Sequence, residues 1–330
     1  MLGLEIAKVV KPFGYNSYIQ IGQRKRYIGV IDMCLDLGGS KMDIKTVGII
    51  SPGDMGSATG KILVDHGLDV VVCLEGRSNL SRERASASRM RIVSSYDEFV
   101  QQSEIILSIL PPSEAVSVAK DMAWRIKAFC SETVFVDFNA VSPQTTDLIN
   151  SFVSSSGGVF VDGCIIGSPP RSGAHPRFYC SGPDLSFVTQ LGNFGLDIRD
   201  LGKEIGYASG LKMIYAASTK GTIALWINLL TAARMMGLDE VLAQELTKSP
   251  VYALMKNSIP TVPRRSGRWI NEMEEIAATF ESQGLTPDFF SGAAEVYRSI
   301  GKTQMAMADP RGLVATFEHT IEQITAILSK

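Results

Sequence analysis

The sequence predicts an α/β fold in which a doubly wound parallel sheet is followed by an all-α C-terminal domain. Three observations predict it. From Ile44 to about Asp200, short β-rich runs alternate with helix-length segments, the pattern of a parallel sheet wrapped by helices. Several runs are almost continuously apolar, as strands covered on both faces must be. Beyond Gly206 the apolar spacing lengthens to the helical period, and no further strand is read.

Taken in order, the β-rich runs place strands at 46–50, 69–74, 105–110, 133–138, 159–162, 177–181 and 197–200. Turn signals follow most of them: Gly76, Pro111 with Pro112, Ser142 with Pro143, Gly167, and Gly182 with Pro183. In the helical part, Pro250, Pro260, Pro263 and Pro287 punctuate roughly four to six helices. The first of these, starting near Gly206, carries Leu211, Met213, Ile214, Ile223, Leu225 and Trp226 on most of its faces and is expected to be buried. The expected division is therefore an extension at 1–42, disordered or outside the fold, a sheet domain at 43–203 and a helical domain at 204–330.

Composition narrows the class. The 330 residues are 45% hydrophobic and 20% charged, enough for a sizeable core in an ordinary soluble chain. A formal charge of −2 gives no global attraction to nucleic acid or an anionic membrane, so neither is expected as a partner. Five scattered cysteines, Cys34, Cys73, Cys130, Cys164 and Cys180, fit neither a disulfide framework nor a zinc site, and point to a reducing compartment such as the cytoplasm. Three dispersed histidines suggest no metal cluster, and none is expected. No apolar stretch approaches the roughly 20 residues that cross a bilayer.

The most informative segment is Thr46-Val-Gly-Ile-Ile-Ser51-Pro52-Gly53-Asp54-Met55-Gly56, a strand that breaks into a glycine turn and resumes as a helix. In a Rossmann-type domain that turn holds the dinucleotide pyrophosphate: Gly53 lets backbone approach phosphate, Gly56 lets the helix pack close, and free N–H groups face the charge. The first glycine of the usual pattern is Ser51 here. About 20 residues on, Glu75, Arg77 and Ser78 end the second strand, where the adenosine ribose is met. Glu75 suits the 2′-OH of NAD; Arg77 and Ser78, with Arg82 and Arg84 nearby, suit the 2′-phosphate of NADP, the preferred cofactor. At the carboxyl ends of two later strands, Leu110, Pro111 and Pro112 offer rigid apolar contact, while Asn139 and Ser142 offer hydrogen bonds.

The ordered set I-I-S-P-G-D-M-G, S-I-L-P-P, D-F-N-A-V-S-P, V-D-G-C-I-I-G, F-Y-C-S-G and E-I-G-Y-A-S-G-L-K-M resembles the β-hydroxyacid dehydrogenase family, which includes 3-hydroxyisobutyrate and 6-phosphogluconate dehydrogenases. The resemblance covers roughly 44–240. Residues 240–330 resemble the C-terminal domain of a poorly characterised branch. The resemblance implies hydride transfer between a nicotinamide cofactor and a small, polar, carboxylate-bearing alcohol, and assembly as a homodimer. It also implies that Lys212, in G-Y-A-S-G-L-K-M, is the general acid or base. Lys220, two turns on, is the rival.

Two departures accompany it. Tyr215 and Ala216 stand where family members often carry a substrate-orienting Asn, so Tyr215 is a candidate for the reacting oxygen. Ile166, before Gly167, replaces the substrate-loop serine. Trp269, Glu272 and Glu275 are further pocket candidates, and Arg264, Arg265 and Arg268 suit an anionic substrate or a plain basic surface. Imine reduction on the same fold and dinucleotide binding without turnover are the alternatives.

Overall fold

The computed structural model describes residues 18–21, 24–27, 44–170, 173–308 and 314–329. The chain divides into two units, Met1–Met42 and Asp43–Lys330. In the first, β1 (Tyr18–Ile21) and β2 (Arg24–Tyr27) pair antiparallel, with Tyr18 opposite Tyr27. The sequence reading has no strand there, and the rest of its expectation for 1–42 lies outside the described residues.

The second unit is built on eight strands: β3 (Thr46–Ile49), β4 (Asp69–Cys73), β5 (Arg91–Val93), β6 (Ile105–Ser108), β7 (Val134–Asp137), β8 (Val159–Ile166), β9 (Arg177–Ser181) and β10 (Asp197–Asp200). Their order across the sheet is β10-β9-β8-β7-β6-β3-β4-β5. The six strands from β3 to β8 are parallel, and the winding reverses between β3 and β6, the switch point where doubly wound sheets bind ligands. The expected all-parallel sheet needs one correction: β9 runs antiparallel to β8, and β10 follows β9. Among the described residues the short connection after Gly167 has no helix to carry a parallel crossover, so the chain folds back on itself. That return lengthens β8 beyond Asp162, because Cys164, Ile165 and Ile166 pair with β9. Sequence reading missed β5, a three-residue edge strand whose Arg91 and Ile92 are exposed.

Helices flank the sheet: α1 (Asp54–Asp65), α2 (Asn79–Ala87), α3 (Tyr96–Gln102), α4 (Pro112–Phe129), α5 (Pro143–Ser155) and the short α6 (Ser186–Gln190). Apolar strand residues fill both sheet faces, with Val47, Ile49, Val70 and Leu107 on one and Val71, Ile106 and Phe135 on the other, where Phe99 of α3 packs with them.

The helical part comprises α7 (Tyr207–Ala216), α8 (Thr222–Met235), α9 (Asp239–Leu246), α10 (Pro250–Ser258), α11 (Ser266–Ser282), α12 (Asp288–Ile300), α13 (Gln304–Met307) and α14 (Phe317–Leu328). Pro250 opens α10 at its first turn and Pro287 caps α12, so two of the proline signals mark helix starts. Met213, Ile227, Trp269, Met273, Tyr297 and Ile324 form the centre of a separate core. The expectation that the first long helix is buried holds on one side only, since Ile214 and Leu225 are about 60% exposed (59% and 63%).

Between α7 and α8 the ladder widens into a π-turn at Ala217–Gly221. The buried Tyr297 explains it: its hydroxyl donates to the carbonyl of Lys220 and lies against the backbone N–H of Ala224, inserted where an ordinary helical rung would close.

Candidate active site

The two glycines of the turn have different surroundings. Gly53 caps α1 with extended backbone, and among the described residues a Cβ there would meet only Ser51 Oγ, at 4.0 Å. The open side is room for a phosphate, beside the free N–H groups of the helix. At Gly56 a Cβ would fall 2.2 Å from the Ser51 carbonyl oxygen, so this glycine is needed for close packing of α1. Ser51 is outside the left-handed region, which explains why the turn manages without the first glycine. Pro52 is buried and Met55 packs on the sheet core, while Asp54 pairs with Arg84 across α1 and α2. The residues present fit a dinucleotide.

At the end of β4, Glu75 is exposed and Ser78 caps α2, accepting from Ser81 N. The half-buried Arg77 donates to Tyr96 Oη at 3.0 Å and Ile50 O at 3.5 Å, which holds its guanidinium beside the turn. Arg82 is directed inward to Leu74 O.

Two predicted contacts need correction. The buried Asn139 spends its amide within the protein: Oδ1 accepts from Leu110 N at 2.5 Å, and Nδ2 donates to Ser108 Oγ at 2.9 Å and to Asp137. It therefore shapes the Leu110–Pro111–Pro112 bend, where Pro111 caps α4, instead of offering its amide to a cofactor. Ser142 is also buried, as the N-cap of α5: its Oγ accepts from Thr145 N, and its own N–H donates to Glu275 Oε2 at 2.7 Å. It ties α5 to α11 and has no free hydroxyl for substrate.

Behind these strand ends lie two buried carboxylates. Burial first, and the Asp162 charge second, push Asp137 up to about 8. Burial pushes Asp162 up to about 6, against hydrogen bonds from Ser209, Ser181, Gly206 and Ala208 that hold it down. Asp137 thus keeps a proton at neutral pH that it releases in the unfolded chain, where a carboxyl titrates near 3.9. The folded state binds more protons over that window, so stability is fullest at low pH and is lost as pH rises through about 8. A melting series should show Tm falling on the order of 5 °C between pH 6 and 9, with most of the slope removed in Asp137→Asn. A slope that survives the substitution would assign it to other groups.

Asp162 also positions α7. Its carboxylate accepts from the N–H groups of Gly206, Ala208 and Ser209 at 2.9–3.1 Å and from the Ser181 hydroxyl at 3.0 Å, so the first turn of the helix is tied to β8. One turn later Lys212 returns to the same strand, its Nζ donating to Ile165 O at 2.7 Å. Eight positions along a regular helix would leave Lys220 about 80° out of line with Lys212; the extra residue of a π-turn takes back about 100°. Both lysines consequently line one cavity of about 540 Å³.

That cavity gathers part of the predicted set. Lys212, Tyr215, Gly167 and Trp269 line it. Ile166 does not; it is buried with Cys164 and Ala208, because the strand pairing that lengthens β8 turns it into the core. Glu272, also buried, is turned to Lys220 and forms an ion pair with it. Burial lowers the Lys220 pKa, Glu272 opposes that and the Lys212 charge adds to it. The ammonium also lies 5.6 Å from the Trp269 ring centroid. The polar residues that sequence reading missed are Ser168, Thr219, Asn257, Ser258 and Thr261. Of the three arginines singled out as a cluster, Arg265 lines the cavity.

The fold and this turn are those of the doubly wound dinucleotide-binding class. Residues 46–189 match the family described as the NAD binding domain of 6-phosphogluconate dehydrogenase, and residues 233–300 match a domain of unknown function, DUF1932. The chain joins these two domains, in a fold shared with 3-hydroxyacid dehydrogenases. It is 28% identical over 257 residues to an uncharacterised 28.5 kDa protein of Methanothermus fervidus, spanning 77% of this chain and 98% of that one. The mitochondrial 3-hydroxyisobutyrate dehydrogenase of Bos taurus is 24% identical over 231 residues, 68% of this chain and 66% of the enzyme. The structure of Mycobacterium tuberculosis 3-hydroxyisobutyrate dehydrogenase with L-serine superposes with a TM-score of 0.61 at 17% identity, covering 84% of this chain and 98% of that one, a likeness of fold. Among the described residues, no helix is long and apolar enough to cross a membrane.

Proposed function

We propose that this chain is an NAD(P)-dependent oxidoreductase that interconverts a small, carboxylate-bearing alcohol and its carbonyl, with Lys212 as general acid and base. The observation that carries this is the placement of Lys212 on a cavity wall, fixed to β8 through Ile165 O, in a chain whose glycine turn is open at Gly53. A bound nicotinamide would take or supply the hydride at its ring. In oxidation, neutral Lys212 accepts the hydroxyl proton as the carbinol C–H pair leaves as hydride; in reduction, its ammonium stabilises the growing charge on the carbonyl oxygen and donates the proton. Our candidate to donate a hydrogen bond to that oxygen is Tyr215, which is exposed and lines the same cavity.

The cofactor reading is NADP, supported by the anchored Arg77 guanidinium beside Ser78. Arg77→Ala is expected to weaken NADPH binding about tenfold, the worth of one charge-assisted phosphate contact, and to leave NADH within about twofold. Titrations of both cofactors check this; an equal loss for both would remove Arg77 from phosphate recognition.

The cationic wall supports an anionic hydroxy or oxo substrate over an iminium, which would meet like charge at Lys212 and Arg265. We further assign nucleotide binding to 43–203 and the substrate wall to 204–330, in a cytoplasmic homodimer. The exposed apolar residues Ile214, Leu225, Met235 and Val241 support a second copy as cover. Buried free thiols at Cys73, Cys164 and Cys180 support a reducing compartment. A screen of NADPH oxidation with small aldehydes, oxo acids and imines tests the reading; oxo acids should lead.

A further inference from the structure

Three arginines follow the end of β4, and two of them are engaged elsewhere. Arg82 donates to Leu74 O at 2.9 Å, and Arg84 pairs with Asp54 at 3.6 Å. Arg77 is held differently. Its hydrogen bonds to Tyr96 Oη, at 3.0 Å, and to Ile50 O, at 3.5 Å, both leave from one nitrogen, Nη2. A guanidinium carries five N–H groups, and among the described residues those on Nε and Nη1 donate to no other side chain or carbonyl.

The group that holds Nη2 is itself fixed on two sides. Tyr96 opens α3, and its ring stands edge-on to the fully buried Phe99, with 6.1 Å between centroids and 75° between planes. Phe99 is seated so close to β3 that a Cβ at Gly48 would fall 2.7 Å from its Cζ. From α4, the Arg125 guanidinium lies 5.8 Å from the Tyr96 ring centroid, and Arg125 is tied in turn to Asp97 and Asp121. The ring has little freedom to turn, so its hydroxyl is a fixed anchor for Arg77.

We propose that Tyr96 is a specificity-determining residue: by holding Arg77 through Nη2 it aims the remaining N–H groups at the cofactor 2′-phosphate, and so sets the preference for NADPH over NADH. The proposal rests on the NADP reading. Its physical basis is preorganisation. Ordering a long, flexible side chain during binding lowers affinity, and that loss is avoided when the protein holds the chain beforehand. NADH carries a hydroxyl in place of the phosphate, so it gains little from a guanidinium held in place. Tyr96 acts through Arg77 and is a positioning residue.

Dissociation constants for NADPH and NADH are measured by fluorescence titration of the full chain as wild type, Tyr96→Phe, Arg77→Ala and the double variant. Phenylalanine keeps the ring against Phe99 and Arg125 and removes only the hydroxyl. Tyr96→Phe is expected to weaken NADPH about fivefold, the effect of ordering one long side chain, and to leave NADH within about 1.5-fold. Added to Arg77→Ala, the same substitution should change neither cofactor, because the group it positions is gone. Unchanged NADPH affinity in Tyr96→Phe overturns the proposal, and an equal loss for both cofactors does so too, since it would reduce Tyr96 to packing. A further loss of NADPH on adding Tyr96→Phe to Arg77→Ala also overturns it, by making the hydroxyl a direct ligand. If Arg77→Ala weakens NADPH selectively while Tyr96→Phe does not, only the role of Tyr96 falls. If Arg77→Ala affects both cofactors alike or neither, the NADP reading falls and takes the role of Tyr96 with it.

Discussion

Lys212→Met is expected to lower kcat by about 10²–10⁴-fold while NADPH binds within about twofold of the wild-type affinity, the range that a positioned general acid or base contributes. Methionine matches the lysine stem as far as Cε, with sulfur in place of one methylene, and lacks the ammonium. The bond lost inside the protein is the single one from Nζ to Ile165 O. The anchoring of α7 does not pass through the lysine, since Asp162 holds the first turn by its N–H groups. A small change in Tm beside a large change in kcat is therefore the signature, read by stopped-flow or steady-state NADPH oxidation beside a melting curve. Turnover within about threefold of wild type would move proton transfer elsewhere, and Lys220 is the neighbour on the same wall. Its pairing with Glu272 makes Lys220 the weaker candidate at the outset, because a carboxylate in contact opposes release of its proton.

Strand existence was legible because both-face burial writes itself as unbroken apolar runs, as in Val70-Val71-Val72-Cys73. Strand direction at the far edge was not, because Phe178 and Ile198 alternate with polar neighbours in either orientation and only the missing crossover decides. The candidate site divides in a similar way. The close packing at Gly56 and the existence of the helix that carries Lys212 were readable from local pattern and order. Residues whose roles depend on who else is near were misassigned: Asn139 and Ser142 look like donors to a ligand until Leu110 and Glu275 are found claiming them. Ile166 occupies a loop position in one dimension and a core position in three. Arg265 was one of three arginines with equal claims, and only the start of α11 beside the cavity distinguishes it. The π-turn had no local signal, since the residue that props it open, Tyr297, lies 77 positions away.

Gly56→Ala and Gly53→Ala should fail differently, and the contrast tests the turn more sharply than either variant alone. At Gly56 the new Cβ lies 2.2 Å from the Ser51 carbonyl oxygen and 3.3 Å from its carbon, so backbone must move and no side chain can yield instead. Overpacking of this kind costs about 1–3 kcal/mol, which a melting curve will register. The displaced element is the turn that aims the N–H groups of α1, and a misplacement of about 1 Å in such a binding frame is expected to weaken NADPH by about 10²-fold. At Gly53 the backbone angles, φ −65° and ψ −166°, are open to alanine, and among the described residues the nearest atom beyond its chain neighbours, Ser51 Oγ, is 4.0 Å from the new Cβ. Stability should then stay close to wild type while cofactor affinity drops, because the methyl occupies the side from which phosphate approaches. If Gly53→Ala binds NADPH normally, that open side faces solvent alone and the pyrophosphate lies elsewhere along the edge between β3 and β6. If both variants lose stability together, the turn is a packing joint at both positions, and the argument for Gly53 as the phosphate-facing glycine fails with it.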